Sequence, residues 1–507
     1  MEFFTKTISQ FGFQQGTNLL NLFLLLLLPI SFFIFKHFKA CFISTSVPPG
    51  PFPWPIFGNI LQIGKNPHKS FARFAQTYGP LMSLKLGNEL LIVASSPTAA
   101  TEILKTHDRI LSGRYIPHVP PEKSSEFSNF SLGWSPDCND YWKNLRTIYR
   151  GELFSSKAIA SQACIREKSA MEMLEFIGKM QGKQVKIRDV TFAAVCNMLS
   201  NVLVSRDLVN LEDEYVNGKV SRIVRNMTKV ASFPNFSIFC PILAPFDLQD
   251  LRKPSMELGN SVYKIWEAII KERKESKVGY GWTPQDFFNA LTNNGSSIQQ
   301  MNMMFVELLT AGTDTSSSTV EWMLTELMRN PRCMKAVKEE LVKEIDRDFI
   351  TESDLPKLTY LQACFKETMR LHPTAPLLLP HRALETCQVM NYTIPKHSLV
   401  VVNFWAISRD PNIWEDPLVF KPERFLDSSL EFKGNDFVFI PFGAGRRICP
   451  GLPMAAKQVS LVVSSLIHSF DWSLPKGMDP NDLDVSEVFG LVMTKKEPLL
   501  LVPYAKA

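Results

Sequence analysis

Long amphipathic patterns fill most of this chain from about residue 70 onward, and they limit the possible architecture more than any other feature. Apolar residues recur there at helical spacing, whereas alternating runs are short and scattered. The helical patterns cover residues 97–106, 141–150, 157–180, 260–277, 299–328, 331–345 and 358–371. The alternating runs, which predict strands, cover residues 81–86, 90–94, 399–403 and 499–502. The sequence therefore predicts a mainly α-helical fold with small β-sheets.

Composition and missing motifs exclude several classes of protein. The 507 residues carry a formal charge of +5 and no dense basic stripe with interleaved aromatics, so no nucleic-acid partner is expected. The nine cysteines include no C-x-x-C pair, which disfavours a disulfide framework or a zinc module. The chain has neither a glycine-rich phosphate loop nor a regular alternation of strands and helices. Electrons for a redox reaction would therefore come from another protein.

The amino-terminal part predicts a membrane anchor. Residues 19–35 are almost wholly apolar and would span roughly 25 Å as a helix. Lys36 and Lys39 follow directly, and this bias places the carboxyl-terminal flank in the cytosol. A cleaved signal peptide is the alternative, but its basic residues would precede the apolar run. We expect residues 1–36 to be the anchor, residues 37–57 a basic and proline-rich hinge, and residues 58–507 the catalytic domain.

A lone cysteine near the carboxyl end predicts the chemistry. Residues 441–451 read PFGAGRRICPG and precede a helical pattern. Backbone N–H groups in such a glycine-rich loop, together with a helix start, stabilise a thiolate on Cys449. Phe442 can shield the sulfur from water, and Arg447 can pair with a carboxylate. An isolated cysteine in a glycine-rich turn would be interpreted as a buried structural residue.

The loop matches the pattern F-x-x-G-x-R-x-C-x-G at every fixed position, and it therefore resembles the signature of the cytochrome P450 family. Two further family motifs, E-x-x-R at 367–370 and PERF at 422–425, precede it in the expected order, so the resemblance covers essentially the whole chain. It implies a haem whose iron takes Cys449 as axial thiolate ligand. It also implies a structural network of Glu367, Arg370 and Arg424.

Further residues are assigned to the haem by the same resemblance. Trp142 and Arg146 stand four apart on one predicted helix face, where an indole N–H and a guanidinium can both donate to a haem propionate. An ordinary helix packing pair is the alternative. The resemblance implies that His381 also meets a propionate. With Phe442 and Arg447 these residues make up the predicted cofactor site.

The segment AGTDTS at residues 311–316 lies within the longest helical pattern. Gly312 among hydroxyl residues weakens the i→i−4 ladder and can admit a water molecule. Asp314 and Thr315 then supply an acid and an alcohol beside that opening, as proton delivery to bound oxygen requires. Both are predicted to be catalytic.

The substrate site is implied less directly. By resemblance it is formed by residues 112–130, 305–311, 377–379 and 488–489, which are largely apolar and suit a small lipophilic, aromatic molecule. Glu307 lies four residues before Ala311, on nearly the same helix face. It could pair with a cationic amine, or it could be a structural acid.

Within the family, the hinge at 48–51, residues 311–315 and the cysteine loop resemble plant microsomal members. Residues 371–373, 385–396 and 154–161 are similar to an alkaloid-oxidising group that includes N-methylcoclaurine hydroxylase, corytuberine synthase and littorine mutase-like proteins, near geraniol hydroxylase-like proteins. The resemblance implies a monooxygenase that hydroxylates an alkaloid with O2.

It also implies a single-pass protein of the endoplasmic reticulum membrane with a cytosolic catalytic domain, served by NADPH–cytochrome P450 reductase. Candidates for the basic docking face are Lys143, Arg150, Arg446 and Lys457. The alternatives are oxidative phenol coupling or skeletal rearrangement without net oxygen insertion, terpenoid hydroxylation, and a haem carrier or gas sensor without turnover.

Overall fold

The computed structural model describes residues 46–114, 130–212, 220, 222–229, 239, 245–276 and 286–506. The predicted anchor, the first part of the hinge and residues 115–129 of the predicted substrate loop lie outside these residues. The prediction of a helical fold with small sheets is confirmed.

Helices are the main regular structure of the described chain. In order they are α1 (Ile60–Ile63), α2 (Pro67–Tyr78), α3 (Pro97–Thr101), α4 (Asp140–Tyr149), α5 (Ser156–Ser161), α6 (Ala163–Gly178), α7 (Ile187–Val204), α8 (Arg252–Ser276), α9 (Phe287–Asn293), α10 (Ile298–Arg329), α11 (Pro331–Glu344), α12 (Thr359–Leu371), α13 (Phe404–Ile407) and α14 (Leu452–Ser469). Short π-helical turns follow α3 and α4, at Glu102–Thr106 and Arg150–Phe154.

Local sequence explains where the longest helix begins and ends. At the start of α10, Ser297 and Gln300 form a reciprocal capping box, each side chain accepting from the other residue's backbone N–H. At its end, Asn330 leaves the helical conformation and Pro331 opens α11, where the missing N–H of proline costs nothing. The predicted helix at 157–180 is instead two helices, because the chain breaks at Gln162.

The strands form small sheets. They are β1 (Leu81–Leu86), β2 (Glu89–Ala94), β3 (Val185–Lys186), β4 (His381–Arg382), β5 (Cys387–Val389), β6 (Tyr392–Ile394), β7 (Leu399–Val402), β8 (Phe470–Ser473), β9 (Glu487–Val488), β10 (Thr494–Lys495) and β11 (Leu500–Ala505). The largest sheet has the order β1-β2-β7-β4, and β2 pairs with β7 in parallel. A second sheet has the order β3-β11-β8.

Helices α7 and α10 pack against each other in the interior and position the site. Helix α7 is long and apolar enough to cross a membrane, but it is mostly buried inside the protein. We therefore interpret it as a core helix. Helix α10 also packs on α8 and α14, so that it joins the helical layers to the helix that follows the cysteine loop.

Candidate active site

The predicted ligand Cys449 lies in the loop between a 3₁₀ turn at Gly445–Arg447 and helix α14. Its backbone N–H donates to the carbonyl oxygen of Phe442 at 3.0 Å, which closes the loop on itself. Gly445 has a φ of +66°, and a Cβ at this position would collide with the carbonyl oxygen of Leu104. The loop therefore needs glycine here, both for its backbone conformation and for its direct packing on the preceding chain.

Cys449 is exposed beside the loop, and groups that favour the thiolate lie around its sulfur. Crowding of the sulfur by protein atoms raises the pKa of the Cys449 thiol, while the N–H groups of Gly451 and Leu452 and the charge of Arg146 act in the opposite direction. A Cβ at Gly451 would lie 3.9 Å from the sulfur, in ordinary contact. The donors needed to hold a thiolate are thus in place around the sulfur, as a metal ligand requires.

The network predicted from the E-x-x-R motif is present. Glu367 and Arg370 are fully buried and share two hydrogen bonds, of 2.7 and 2.8 Å. Arg424 donates to the same carboxylate at 3.1 Å. Arg370 also donates to the carbonyl oxygens of Ser408 and Pro417. This network joins α12 to the two loops that lead toward the cysteine, so its role is structural.

Three guanidinium groups gather near Trp142 and bind neutral carbonyl oxygens. Arg114 donates to Leu379, Pro380 and Gly133, Arg447 to Ser112, Leu132 and Ser135, and Arg146 to Ile448.

Among the residues that the structure describes, none of these three guanidiniums has a carboxylate within 4.0 Å. Burial and the charge of Arg447 lower the pKa of Arg114 to about 9. Buried cations are normally paired, so this cluster fits an anionic group supplied by a cofactor. The carboxylates of a haem have the matching chemistry.

The other predicted haem contacts are placed beside this cluster. The ring of Trp142 lies 5.0 Å from the guanidinium carbon of Arg447 and 5.5 Å from that of Arg146. Its indole N–H, however, donates to the carbonyl oxygen of Leu132 at 2.8 Å. Nδ1 of His381 lies 2.7 Å from the carbonyl oxygen of Leu111, and burial lowers the pKa of this imidazole well below its usual value. Both residues therefore have backbone partners in this structure.

Phe442 packs on the ring of Phe432, with ring centroids 5.5 Å apart. Its ring therefore has a neighbour on the core side of the loop. Arg447, for which the sequence suggested a carboxylate partner, has the three carbonyl partners described above instead.

Helix α10 carries the two predicted catalytic residues on different faces. The Thr315 hydroxyl donates to the carbonyl oxygen of Ala311 at 2.8 Å, one turn earlier. Asp314 is buried and its carboxylate pairs with Arg188 of α7 at 2.6 Å, while the Thr228 hydroxyl donates to it at 3.3 Å. The acid is therefore held by α7 and by the segment at 222–229.

Gly312 has a second role that the sequence did not reveal. A Cβ at this position would lie 2.7 Å from Cδ1 of Leu199 on α7. The glycine therefore allows the two central helices to approach closely. Through the same approach Arg188 of α7 can reach Asp314.

The Glu307 carboxylate is not a free acid, because it binds hydrogen-bond donors of residues 131–133. Its carboxylate accepts from the Ser131 hydroxyl at 2.9 Å and from the backbone N–H groups of Leu132 and Gly133 at 2.9 and 2.6 Å. Burial raises its pKa, and these three donors oppose that effect. A Cβ at Gly133 would lie 2.8 Å from the carboxylate oxygen. The structural alternative considered for Glu307 is thus the one the geometry favours.

Residues 131–135 bind both the Glu307 carboxylate and the cationic side chains near Trp142. Residues 131–135 give their N–H groups to Glu307 and their carbonyl oxygens to Arg447, Arg114 and Trp142. Helix α10 and the cluster of Arg114, Arg146 and Arg447 are therefore joined through a few peptide units.

One residue of the predicted substrate lining faces elsewhere. Phe305 is fully buried and packs on Trp266 and Phe287, with ring centroids 5.1 and 6.3 Å apart. It belongs to the core between α8, α9 and α10. The exposed position on this stretch of α10 is Ala311.

Sequence reasoning placed Arg114 only within the predicted substrate stretch at 112–130, not in the haem site, and it missed Arg188. Neither lies in a repeated pattern or beside a recognisable motif, and their partners are far away along the chain. Arg114 binds carbonyls of residues 379 and 380, and Arg188 binds residue 314. Only the folded structure brings these groups together.

A cavity of about 310 Å³ opens beside Cys449, between the cysteine loop with the start of α14 and the end of α4. It is lined by Arg146, Arg150, Phe154, Lys433, Ile448, Cys449, Pro450, Leu452 and Pro453. Of the predicted docking residues, Arg150 lies at this cavity, whereas Arg446 pairs with Asp108 at 3.0 Å and Lys143 with Asp140 at 2.8 Å. Lys457 donates to the carbonyl oxygen of Glu352.

Comparisons with known proteins agree with this geometry. Residues 48–502 match the family model described as "Cytochrome P450". The chain is 49% identical to (S)-N-methylcoclaurine 3'-hydroxylase isozyme 1 of Papaver somniferum, covering 90% of this chain and 95% of that protein. It is 44% identical to corytuberine synthase of Coptis japonica, covering 91% and 95%.

Among solved structures, the fold is similar to a zebra fish cytochrome P450 described as a structure with abiraterone. The TM-score is 0.72 at 25% sequence identity, and the match covers 87% of this chain and 100% of that one.

Proposed function

Since the chain belongs to the cytochrome P450 family, whose haem iron is held by a cysteine thiolate, we propose that Cys449 is that ligand and that the enzyme hydroxylates an alkaloid. The observation that carries the proposal is the closed glycine loop, in which N–H donors and Arg146 surround the sulfur of Cys449. When bound, a thiolate-ligated haem supplies oxygen activation, because the sulfur donates electron density to the iron.

The cationic cluster is the proposed seat of the haem carboxylates. Arg114, Arg146 and Arg447 would supply the positive charge, and Trp142 and His381 would shape the site around them. Guanidiniums suit this role because they stay protonated and present several N–H donors in a fixed plane. Support comes from the absence of ion-pair partners for these three arginines among the described residues.

Thr315 and Asp314 are the proposed proton donors on the distal side. The Thr315 hydroxyl holds a proton at Oγ1 next to the exposed position of Ala311. Asp314 would pass on a proton that its carboxylate first takes up from solvent, and the pairing with Arg188 holds that carboxylate one residue from Thr315. A positioned acid and alcohol of this kind speed up reactions that consume protons.

The substrate class comes from the relatives. Several proteins that are 46–49% identical over about nine-tenths of this chain bear the name N-methylcoclaurine hydroxylase. The apolar stretches at 377–379 and 488–489 suit a lipophilic, aromatic molecule. Glu307 is engaged by three donors, so a cationic amine would have to displace loop contacts in order to reach it.

We propose NADPH–cytochrome P450 reductase as the electron donor, docking at the cavity beside Cys449. Arg150 and Lys433 give this face positive charge, which would attract an acidic partner. Arg446 and Lys143 are engaged by neighbouring carboxylates, and they are therefore weaker candidates than Arg150.

We propose a single-pass anchor in the endoplasmic reticulum membrane, formed by residues 1–36, with the catalytic domain in the cytosol. Support comes from the apolar run at 19–35 and from exposed apolar side chains at the start of the described chain. These are Phe52, Trp54, Ile56, Phe57 and Leu61, which are 46–71% exposed. Such a patch is typical of an interaction with a membrane.

Product mass tests the reaction. The purified chain with reductase, NADPH and N-methylcoclaurine under isotopically labelled O2 is expected to give a product that contains one labelled oxygen. A product without label would indicate coupling or rearrangement. An absence of NADPH consumption with any of a panel of alkaloids and terpenoids would overturn the proposal of an oxygenase.

A further inference from the structure

A buried carboxylate lies at the base of the β9–β10 hairpin. The side chain of Glu487 is 6% exposed and accepts from Nε1 of Trp405 and Nη2 of Arg409, both at 3.3 Å. Nδ1 of His372 lies 3.6 Å away and Nε2 of His68 lies 3.8 Å away. Burial would raise the pKa of Glu487, but these cationic and hydrogen-bonding neighbours hold it well below its usual value. The hairpin is therefore anchored to three separate helical segments.

His68 differs from the other residues around Glu487 because its ring nitrogens make no hydrogen bond of normal length. Its side chain is fully buried, and neither ring nitrogen has a hydrogen-bond partner among the described residues. The 3.8 Å to Glu487 is too long for a hydrogen bond. Burial lowers the pKa of His68, while the neighbouring Glu487 acts in the opposite direction. The closest contacts of the ring are aromatic.

The ring of His68 is packed between two aromatic rings. It stacks on Phe489 with centroids 5.3 Å apart and planes inclined by 16°. The ring of Trp405 meets it edge-on at 5.0 Å and 71°. Such offset and edge-to-face pairs fix the orientation of a side chain better than aliphatic contacts do.

The turn that carries Phe489 lies against the distal side of the site. The Ser318 hydroxyl of α10, one turn beyond Thr315, donates to the carbonyl oxygen of Met493 at 3.2 Å. The Met493 N–H donates to the carbonyl oxygen of Thr374 at 2.8 Å. Leu378, on the segment that follows Thr374, packs against the cysteine loop. Its Cδ1 lies 3.9 Å from the position that a Cβ would take at Gly443. The turn is thus bonded to α10 and to the segment that leads to the cysteine loop.

We propose that His68 is a positioning residue that sets the orientation of the Phe489 ring and thereby the shape of the substrate pocket. This rests on the proposed function in two respects: a ligand binds on the distal side of a haem, and Phe489 borders it, as the family resemblance implies. His68 belongs to α2, which is remote in sequence from every predicted substrate contact. Its effect would reach the ligand through Phe489 alone.

Two substitutions separate ring shape from polarity. His68→Phe keeps an aromatic ring and removes the nitrogens, whereas His68→Gln keeps a polar group and removes the ring. The probe is clotrimazole, an imidazole with phenyl rings that fills a large pocket, with unsubstituted imidazole as the control. Both bind haem iron through nitrogen, and their spectral titration requires no knowledge of the natural substrate.

We expect His68→Gln to weaken clotrimazole binding roughly three- to tenfold, the range for one aromatic pair, and to leave imidazole binding unchanged. His68→Phe should keep clotrimazole binding within about twofold of the wild type. Each variant must show the unshifted wild-type spectrum of the ferrous carbon-monoxide complex, which confirms an intact haem site.

A double-mutant cycle with Phe489→Leu then tests the route of the effect. The double variant should bind clotrimazole no more weakly than Phe489→Leu alone, since His68 acts only through that ring. Additive losses, equal losses for clotrimazole and imidazole, or a weakened His68→Phe variant would overturn the proposal. If the variants behave as expected but no alkaloid is oxidised, the substrate proposal alone fails.

Discussion

The cysteine side and the distal side of this site are stabilised in different ways. On the cysteine side, a glycine loop closes on its own backbone, and Glu367, Arg370 and Arg424 form a compact network with spacing that the sequence displays. On the distal side, the two acidic residues Asp314 and Glu307 of α10 are each held by a partner on another element. Asp314 pairs with α7, and Glu307 binds the loop at 131–133. The residues of the first side belong to motifs that the sequence displays, whereas the partners on the second side are known only from tertiary packing.

The largest expected effect tests the cysteine side directly. Cys449→Ala should abolish the shifted Soret band of the ferrous carbon-monoxide complex, because no thiolate remains to bind the iron. Cys164→Ala, at an exposed free cysteine, is the matched control and should retain the band. A retained band in Cys449→Ala would mean that another residue is the ligand.

Next in size is the loss of the buried network on the cysteine side. Arg370→Leu leaves the fully buried Glu367 carboxylate without its bidentate partner and should lower the free energy of unfolding by about 3–5 kcal/mol. Lys335→Ala, which removes an exposed pair with Glu339, should change it by about 0.5 kcal/mol or less. Denaturant titrations that gave similar values for both would show that burial does not set the difference.

On the distal side, Thr315→Ala should leave the carbon-monoxide band intact and divert electrons to peroxide. Without the hydroxyl, product formation per NADPH should fall roughly tenfold or more. Thr319→Ala removes a hydroxyl with the same i→i−4 bond one turn later and should stay coupled. Tight coupling in Thr315→Ala, measured as peroxide against product, would contradict the proposed role.

The smallest expected effect concerns the hydrogen bonds between Glu307 and residues 131–133. Glu307→Gln replaces one accepting oxygen by an N–H group that cannot bind the backbone donors, and it should cost about 1–2 kcal/mol of stability. A denaturant titration measures this loss. If the residue instead served a cationic substrate, the variant would keep its stability and lose alkaloid binding.

This contrast also explains how much could be predicted from the sequence. The cysteine loop and the helix at 298–329 were predicted to within one residue or so, since both depend on local spacing. Arg114, the Arg188 partner of Asp314 and the packing of Gly312 on Leu199 were not predicted. Each has a partner 100 or more residues away along the chain, and nothing in the local pattern marks them. Phe305 was misassigned to the pocket because an apolar helix position does not reveal which neighbour it faces.

The parallel pairing of β2 with β7 has a consequence for how this protein is made. Leu91–Ala94 lie beside Leu399–Val402, so the ribosome must add about 300 residues before the inner edge of β2 finds its neighbour. At roughly 5–20 residues per second, that wait lasts roughly 15–60 s. During it an apolar strand edge is open to pairing with other nascent chains. We expect the yield of the folded enzyme in a foreign host to depend on chaperone supply and slow translation more than on the stability of the finished molecule.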